Sequence, residues 1–442
     1  MKLSRNNIYI PINSDDYLIA NTYTRAVVSL HKNILAMLQK RDKENVNNID
    51  NNILNVLIEK NIVVPHDLDE DSSVEYLFWR QQLNDNCLVT YLMYSTKCNF
   101  ACEYCYEKGH TNSTTMDDKT TNDLIEWYKY KMMYGGVKEC KIILFGGEPL
   151  LYKKAFLEIL SSVKQIATVN AVKLTTEIIT NGFYLDNEFM QEMRHYNLKE
   201  VQITIDGLPL YHDKLRHLKN GKGTFNRVFS NLLSVSSQYA NNVVFLCRIS
   251  FSKANIDNIL SFVDFLHDND PQHHITPYFA HITQTFTQNS DFSSFCSGNV
   301  FSDDEELADI YAMLWKKAKE KGYNIPSFHT LGPCMYHSAN GYVITPEGNL
   351  YKCLDMVGIK EHISGNIENP IWNNTYYYKT VCSSQIKYCL KTDCPYVPIC
   401  SNGCILEAWL KHGSSQKICC KRRFLDKVTS KLLITKYIEK TI

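Results

Sequence analysis

Eight residues near position 100, Cys98-Asn99-Phe100-Ala101-Cys102-Glu103-Tyr104-Cys105, carry three thiols in the spacing C-x3-C-x2-C. Three thiolates on one short loop can hold three irons of a [4Fe–4S] cube and leave the fourth iron open to a substrate or cofactor. Tetrahedral zinc is the competing use of such thiols, but it wants a fourth ligand. A second cysteine-rich region begins at Cys334 and Cys353. It continues as Cys389-x4-Cys394-x5-Cys400-x3-Cys404 and ends at Cys419-Cys420. Structural zinc competes here too, since four closely spaced thiolates suit it. Cys87, Cys140, Cys247 and Cys296 stand in apolar or unpatterned contexts and read as small core residues.

A second kind of signal lies where strand-like runs end. Phe145-Gly146-Gly147-Glu148-Pro149 places two conformationally permissive glycines before a carboxylate that can accept from a ligand ammonium. Thr180-Asn181-Gly182 and Thr204-Ile205-Asp206-Gly207 end the next two runs, where ligands of parallel α/β sheets bind. Ordinary turn and cap chemistry would use the same Asn-Gly and Asp-Gly pairs. Arg216 and Arg248 are candidate carboxylate clamps, with surface ion pairing as the alternative.

The cysteine loop with Phe145–Pro149 resembles the radical SAM superfamily, over roughly residues 87–282. The resemblance implies that the open iron binds the amino and carboxylate groups of S-adenosyl-L-methionine, and that a 5′-deoxyadenosyl radical then takes hydrogen from a substrate. It makes Cys98, Cys102 and Cys105 the iron ligands, and Tyr104 the usual aromatic residue before the third cysteine. It gives Gly146, Gly147 and Glu148 to the methionyl amino group, and Thr180, Asn181, Thr204 and Asp206 to the cofactor pocket. The C-terminal spacing is similar to the SPASM extension, which implies two auxiliary [4Fe–4S] clusters. By that resemblance Cys334, Cys353 and Cys404 hold the first. Cys389, Cys394, Cys400 and either Cys419 or Cys420 hold the second. Four residues separate Cys389 from Cys394 where the family has two, which leaves Cys382 as a substitute for Cys389. The first cluster lacks a fourth thiolate, so it has an open iron or another ligand.

A SPASM extension implies a peptide or protein substrate. The expectation is a peptide maturase that installs a cross-link, most often a thioether, in a ribosomally made precursor with a leader. The alternative is an anaerobic sulfatase-maturing enzyme that forms formylglycine from Cys or Ser. Asp355, in Cys353-Leu354-Asp355, is the candidate proton acceptor. A non-catalytic electron carrier would have no use for the amino-acid pocket implied at Phe145–Pro149. An external donor of the flavodoxin or ferredoxin kind is implied.

These groups need a scaffold. From Leu88 to Ile282, strand-like runs at 88–94, 141–145, 174–180, 200–205, 242–250 and 275–282 alternate with helix-like segments such as Met116–Tyr134 and Lys153–Val169. Such alternation implies βαβ units on a parallel sheet, either a partial barrel or a doubly wound fold. With the resemblance, the expected fold is α/β: a partial (β/α)6 radical SAM barrel, a small N-terminal α+β module and the cysteine-rich extension. Expected domains are 1–84, weakly similar to leader-peptide recognition elements, 85–326 and 327–442. The acidic stretch 66–75 reads as a linker or solvated surface, and the basic stretch 411–442 as a helix with a solvated face. A turn at Pro346–Asn349 predicts a hairpin.

Composition narrows the function classes. The chain has 442 residues, with 47 basic and 47 acidic side chains. No global basic field exists to hold nucleic acid or an anionic membrane. The start has no apolar h-region and no run is long enough to span a bilayer, so a cytoplasmic protein is expected. Clustered cysteines in a reducing compartment read as metal ligands before disulfides.

Overall fold

The structure is a computed structural model that describes residues 1–40, 49–109, 114–285, 290–332, 334–382, 384–400 and 402–438. The chain divides into two compact units. One comprises Met1–Gln82, Asp303–Cys334 and Ser383–Ile442, and the other Leu83–Ser302 and Met335–Cys382.

The first unit begins with five short strands, β1 (Lys2–Leu3), β2 (Asn7–Pro11), β3 (Asp16–Asn21), β4 (Val27–His31) and β5 (Val63–Val64). β2, β3 and β4 form an antiparallel meander, and β1 pairs with β5. Helices Lys32–Gln39 and Asn51–Glu59 close over Ile19, Leu30, Leu35, Leu38 and Leu57, which form one apolar cluster. One expectation fails here. The acidic stretch is not a solvated linker, because Glu70–Gln82 is helical and buries Glu70, Val74, Phe78 and Gln82. Residues four apart share a helix face, so that stripe turns inward while the remaining acids face out. The Glu70 carboxylate accepts from Ser4 Oγ at 2.5 Å and from the Arg5 N–H at 3.2 Å.

The basic C-terminal stretch forms the expected helix with a solvated face: Arg422, Arg423 and Lys431 of Arg422–Tyr437 are exposed. It packs on helix Asp304–Glu320, where Lys427 and Lys431 each reach Asp309 at 2.8 Å and Arg423 reaches Glu305 at 2.7 Å. Solvent screens exposed pairs of this kind, so each adds little. Phe424, Leu425, Val428, Leu432 and Leu433 supply the main attachment through apolar burial.

The second unit is the α/β core. Its strands are β6 (Cys87–Met93), β7 (Glu139–Phe145), β8 (Lys173–Thr180), β9 (Leu198–Thr204), β10 (Val244–Phe251), β11 (Ile275–His281), β12 (Gly341–Ile344), β13 (Asn349–Tyr351) and β14 (Gly365–Asn366). They form one sheet in the order β11-β10-β9-β8-β7-β6-β12-β13-β14. β6 to β11 are parallel, and each lies beside its sequence neighbour. Helices Asp118–Tyr134, Lys153–Val169, Asn187–Arg194, Phe225–Tyr239 and Ile256–Asn269 run between strands. Helix Lys153–Val169 buries Phe156, Ile159, Leu160, Val163 and Ala167 at i, i+3, i+4 spacing. This is the α/β architecture expected of six repeated strand–helix units.

β12 adds to β6 in parallel and turns back through the expected hairpin into β13, with Gly348 at φ +78° in the turn. A Cβ at Gly348 would meet Ile367. Cys140 and Cys247 are fully buried in β7 and β10 and Cys296 is also buried, while Cys87 is half-buried.

Candidate active site

The cysteine loop leaves β6 and crosses the carboxyl end of the sheet. It is held as an irregular antiparallel ladder by the segment 215–219. The Ala101 N–H donates to the His217 carbonyl at 2.9 Å, Glu103 to Leu215 at 3.1 Å, and Lys219 back to Asn99 at 3.2 Å. On the other side the Gly147 N–H donates to the Ser95 carbonyl and the Glu148 N–H to that of Lys97. Gly146 has φ +121°, and a Cβ there would strike the Ser95 carbonyl oxygen. A Cβ on Gly147 would strike the carbonyl oxygens of Thr96 and Lys97. The two glycines are therefore what lets the β7 end lie against the cysteine loop.

These segments enclose a cavity of about 530 Å³ in the second unit. Cys98, Cys102 and Cys105 line it together with Tyr104, Gly146, Gly147, Thr180, Asn181, Thr204, Arg216, Arg248 and Asp355. Thus most sequence-nominated groups share one concave site at the strand ends. Burial, the Glu148 carboxylate and the neighbouring thiols push the Cys98 thiol up to about 12, against a pull from the Phe100 N–H. A thiol so placed ionises readily only when a cation takes it as a ligand. The donor set, three thiols on one cavity wall, fits an iron–sulfur centre with one iron left open.

Glu148 stands 1% exposed behind the two glycines. Its Oε1 accepts from Thr180 Oγ1 at 2.6 Å and the Leu150 N–H at 2.9 Å, and its Oε2 accepts from the Asn181 N–H at 2.7 Å. With one donor on Oε2, an acceptor direction is left for a further N–H. Burial raises its pKa, and these bonds and Arg216 oppose the rise. Glu148 thus ties the ends of β7 and β8 together, fixing Thr180 and Asn181. Asn181 Nδ2 in turn reaches Asn99 Oδ1 of the cysteine loop at 2.8 Å.

Tyr104 donates its hydroxyl to Asp206 Oδ2 and accepts from Arg216 Nη1 at 2.9 Å. Asp206 is fully buried, and burial raises its pKa while Arg216 and the Tyr104 hydroxyl pull it back. Arg216 is 8% exposed, so the surface-pair alternative does not describe it. Arg248 Nη1 bonds Ser250 Oγ at 2.5 Å from β10. Asp355, just after the β13 hairpin, has its pKa raised by burial and lowered by Arg248. Glu107, which no sequence motif singles out, lines the same cavity, and burial and Asp355 push it up to about 7. Its only sequence signal is its place two residues beyond Cys105.

The remaining thiols fall into separate places. In the first unit Cys389, Cys394, Cys400 and Cys420 line one cavity of about 200 Å³. Cys419 faces elsewhere and donates to Glu407 Oε2 at 3.1 Å, an oxygen that Lys421 also holds at 2.6 Å. Cys404 is pushed up to about 12 by burial, Glu407 and Cys334. Cys353 and Cys382 belong to the second unit, where Cys353 is half-buried and Cys382 exposed. Among the described residues no three His, Cys, Asp or Glu side chains converge on one metal ion, and the three loop thiols would each take a different iron of a cluster. No described helix is long and apolar enough to cross a membrane.

The sequence family described as the radical SAM superfamily matches residues 92–266. The cysteine-type anaerobic sulfatase-maturating enzyme of Clostridium novyi (strain NT) is 25% identical over 377 residues, covering 79% of this chain and 96% of that protein. Among solved structures, native anSMEcpe with bound AdoMet and Kp18Cys peptide is similar with a TM-score of 0.60 at 17% identity, covering 80% of this chain and all of that one. Streptococcus suis SuiB bound to precursor peptide SuiA is similar with a TM-score of 0.53 at 14% identity, covering 95% of this chain and 99% of that one. At these identities the two structures speak for the fold alone. Sequence match, fold and the cavity of loop thiols agree: the chain is a radical SAM enzyme, a family whose cofactors are S-adenosylmethionine and a core iron–sulfur cluster, with a cysteine-rich C-terminal extension.

Proposed function

We propose that this enzyme oxidises a residue in a peptide or protein substrate, and that conversion of a Cys or Ser side chain to formylglycine is its best-supported reaction. One observation carries the reading. The loop thiols, the strand-end polar groups and Asp355 meet in one cavity, in a chain that is similar along nearly the whole length of a cysteine-type sulfatase-maturating enzyme. The thioether expectation becomes the second reading. It draws support from the meander β2–β4 and its helices, since the likeness to the SuiB–SuiA structure covers nearly the whole chain, and an extended leader could add to a sheet edge there.

Cys98, Cys102 and Cys105 would hold the core cluster. Glu148, with Thr180 and Asn181 fixed by it, would orient the methionyl end of S-adenosylmethionine. When bound, these groups supply a radical that removes hydrogen from an unactivated carbon. The chain's own residues do the rest. Glu148 keeps the ends of β7 and β8 in register with the cysteine loop. The Arg248 charge favours the ionised form of Asp355, and Asp355 takes the proton that leaves the substrate thiol or hydroxyl. Cys389, Cys394, Cys400 and Cys420 would hold one auxiliary cluster. An external flavodoxin- or ferredoxin-class donor would supply electrons.

The test is anaerobic incubation of the reconstituted enzyme with two peptides, one carrying the Cys or Ser site of a sulfatase and one a candidate precursor with a leader. An aldehyde that reacts with a hydrazide probe, absent with Cys98→Ala enzyme, supports formylglycine formation. Loss of two hydrogens from the precursor with no aldehyde moves the assignment to cross-linking.

A further inference from the structure

The cavity takes His281 and Ile282 from the far end of β11, so the loop 270–274 that enters β11 lies at the opposite end of the sheet. Two histidines meet there. His267 stands in the last turn of helix Ile256–Asn269 and His273 in the loop. Their Nδ1 and Nε2 are 3.0 Å apart, and both residues are half-buried. The backbone prepares this meeting. Asp270, 4% exposed, accepts from the Ile275 N–H at 2.8 Å through Oδ2, and its carbonyl accepts from the His273 N–H at 3.0 Å. His273 itself sits at φ +56°, a left-handed setting uncommon for a residue with a Cβ. His274 is turned elsewhere, with Nδ1 3.5 Å from Asp270 Oδ1.

A hydrogen bond between two neutral imidazoles uses one N–H and one lone pair. With that hydrogen on the far nitrogen of its own ring, two lone pairs face each other, and a cation relieves the repulsion. Metal–imidazole bonds are about 2.0–2.1 Å long, so nitrogens 3.0 Å apart subtend about 94° at one ion. That angle suits a cis pair on a square-planar or octahedral ion better than the wider tetrahedral angle of zinc. The surroundings favour positive charge. The carbonyl end of a helix carries partial negative charge. Residues 264–275 include Asp264, Asp268 and Asp270 and no Lys or Arg. Among the described residues no third His, Cys, Asp or Glu completes a metal-binding group with the pair, so water would fill the other positions.

We propose that His267 and His273 form a two-histidine chelate for a divalent first-row cation of the Ni2+ or Cu2+ kind, which fastens the end of helix Ile256–Asn269 to the entry of β11. The site is separate from the thiols and does not depend on the reaction at the cavity.

The experiment is anaerobic calorimetric titration of Ni2+ into tag-free, full-length, cluster-loaded protein at pH 7.5. It compares wild type with His267→Gln, His273→Gln and His66→Gln, the last an exposed histidine elsewhere in the chain. Wild type should show one Ni2+ site that weakens about 100-fold in each of the first two variants, since either histidine alone loses the chelate. His66→Gln should titrate as wild type. Ni2+ should also raise the melting temperature of wild type and leave those of His267→Gln and His273→Gln unmoved. Equal Ni2+ binding by wild type and both variants overturns the proposal. So does a loss in His66→Gln as large as theirs, which marks adventitious capture by surface histidines. Where one variant fails to fold the other decides, and where both fail, a wild-type melting temperature that Ni2+ does not move overturns it.

Discussion

Cys419 and Cys420 are neighbours in sequence and part company in space. Cys419 makes a bridge beside Gly403, and successive side chains of an extended segment point to opposite sides. One thiol therefore goes to Glu407 and the other to the cavity shared with Cys389, Cys394 and Cys400. No spacing rule separates two adjacent cysteines, so this choice was not legible in the sequence. Cys420→Ala should lose one cluster's worth of iron on reconstitution, while Cys419→Ala should keep it, as measured by iron and sulfide content. At Glu148 the sequence was more informative, because Gly-Gly-Glu-Pro at a strand end marks both the close approach and the acceptor. What it did not reveal is that the carboxylate also braces Thr180 and Asn181. Hydrogen bonds to charged groups contribute about 1.5–3 kcal/mol. Glu148→Gln should therefore slow cleavage of S-adenosylmethionine about 10–100-fold, read as 5′-deoxyadenosine formed per minute.

At the scale of elements, the parallel strands were legible because each is a short apolar run ending in polar or glycine residues. The helix Glu70–Gln82 was not, because Asp69, Glu70 and Asp71 masked the Val74–Phe78–Gln82 stripe that the fold buries. The segment 215–219 was also hidden: its pairing with the cysteine loop spans more than a hundred residues and has no local pattern. The fit of that loop against the β7 end gives a prediction of its own. In Gly147→Ala the added methyl meets backbone carbonyls that cannot rotate away. Overpacking of this sort costs about 1–3 kcal/mol. The variant should unfold at lower urea concentration than wild type and take up less iron, while an alanine at Gly413, where a Cβ meets open space and only the left-handed backbone is strained, should leave iron uptake unchanged.

For the whole molecule, the fold class followed from the order of its strand–helix units, whereas the electrostatic balance needed three dimensions. The basic C-terminal helix finds acids on Asp304–Glu320, and His337 is buried at 4% exposure beside Lys352. Burial and Lys352 depress His337 to about 4, against a backbone hydrogen bond at Thr380 that raises it. The unfolded chain has an ordinary histidine near 6.5 and so binds a proton first as pH falls. The stability linked to His337 is full above that value and is lost as pH drops through about 4, to a total of about 3 kcal/mol. Urea midpoints from pH 7 to 4 should therefore fall less steeply for His337→Gln than for wild type.

The most direct measurement of the central claim is reductive cleavage of S-adenosylmethionine by the anaerobically reconstituted protein. Wild type with dithionite should release 5′-deoxyadenosine and methionine, and Cys102→Ala should release neither. Full cleavage by Cys102→Ala, or none by an iron-loaded wild type under reducing conditions, would contradict the assignment of the loop and its cavity.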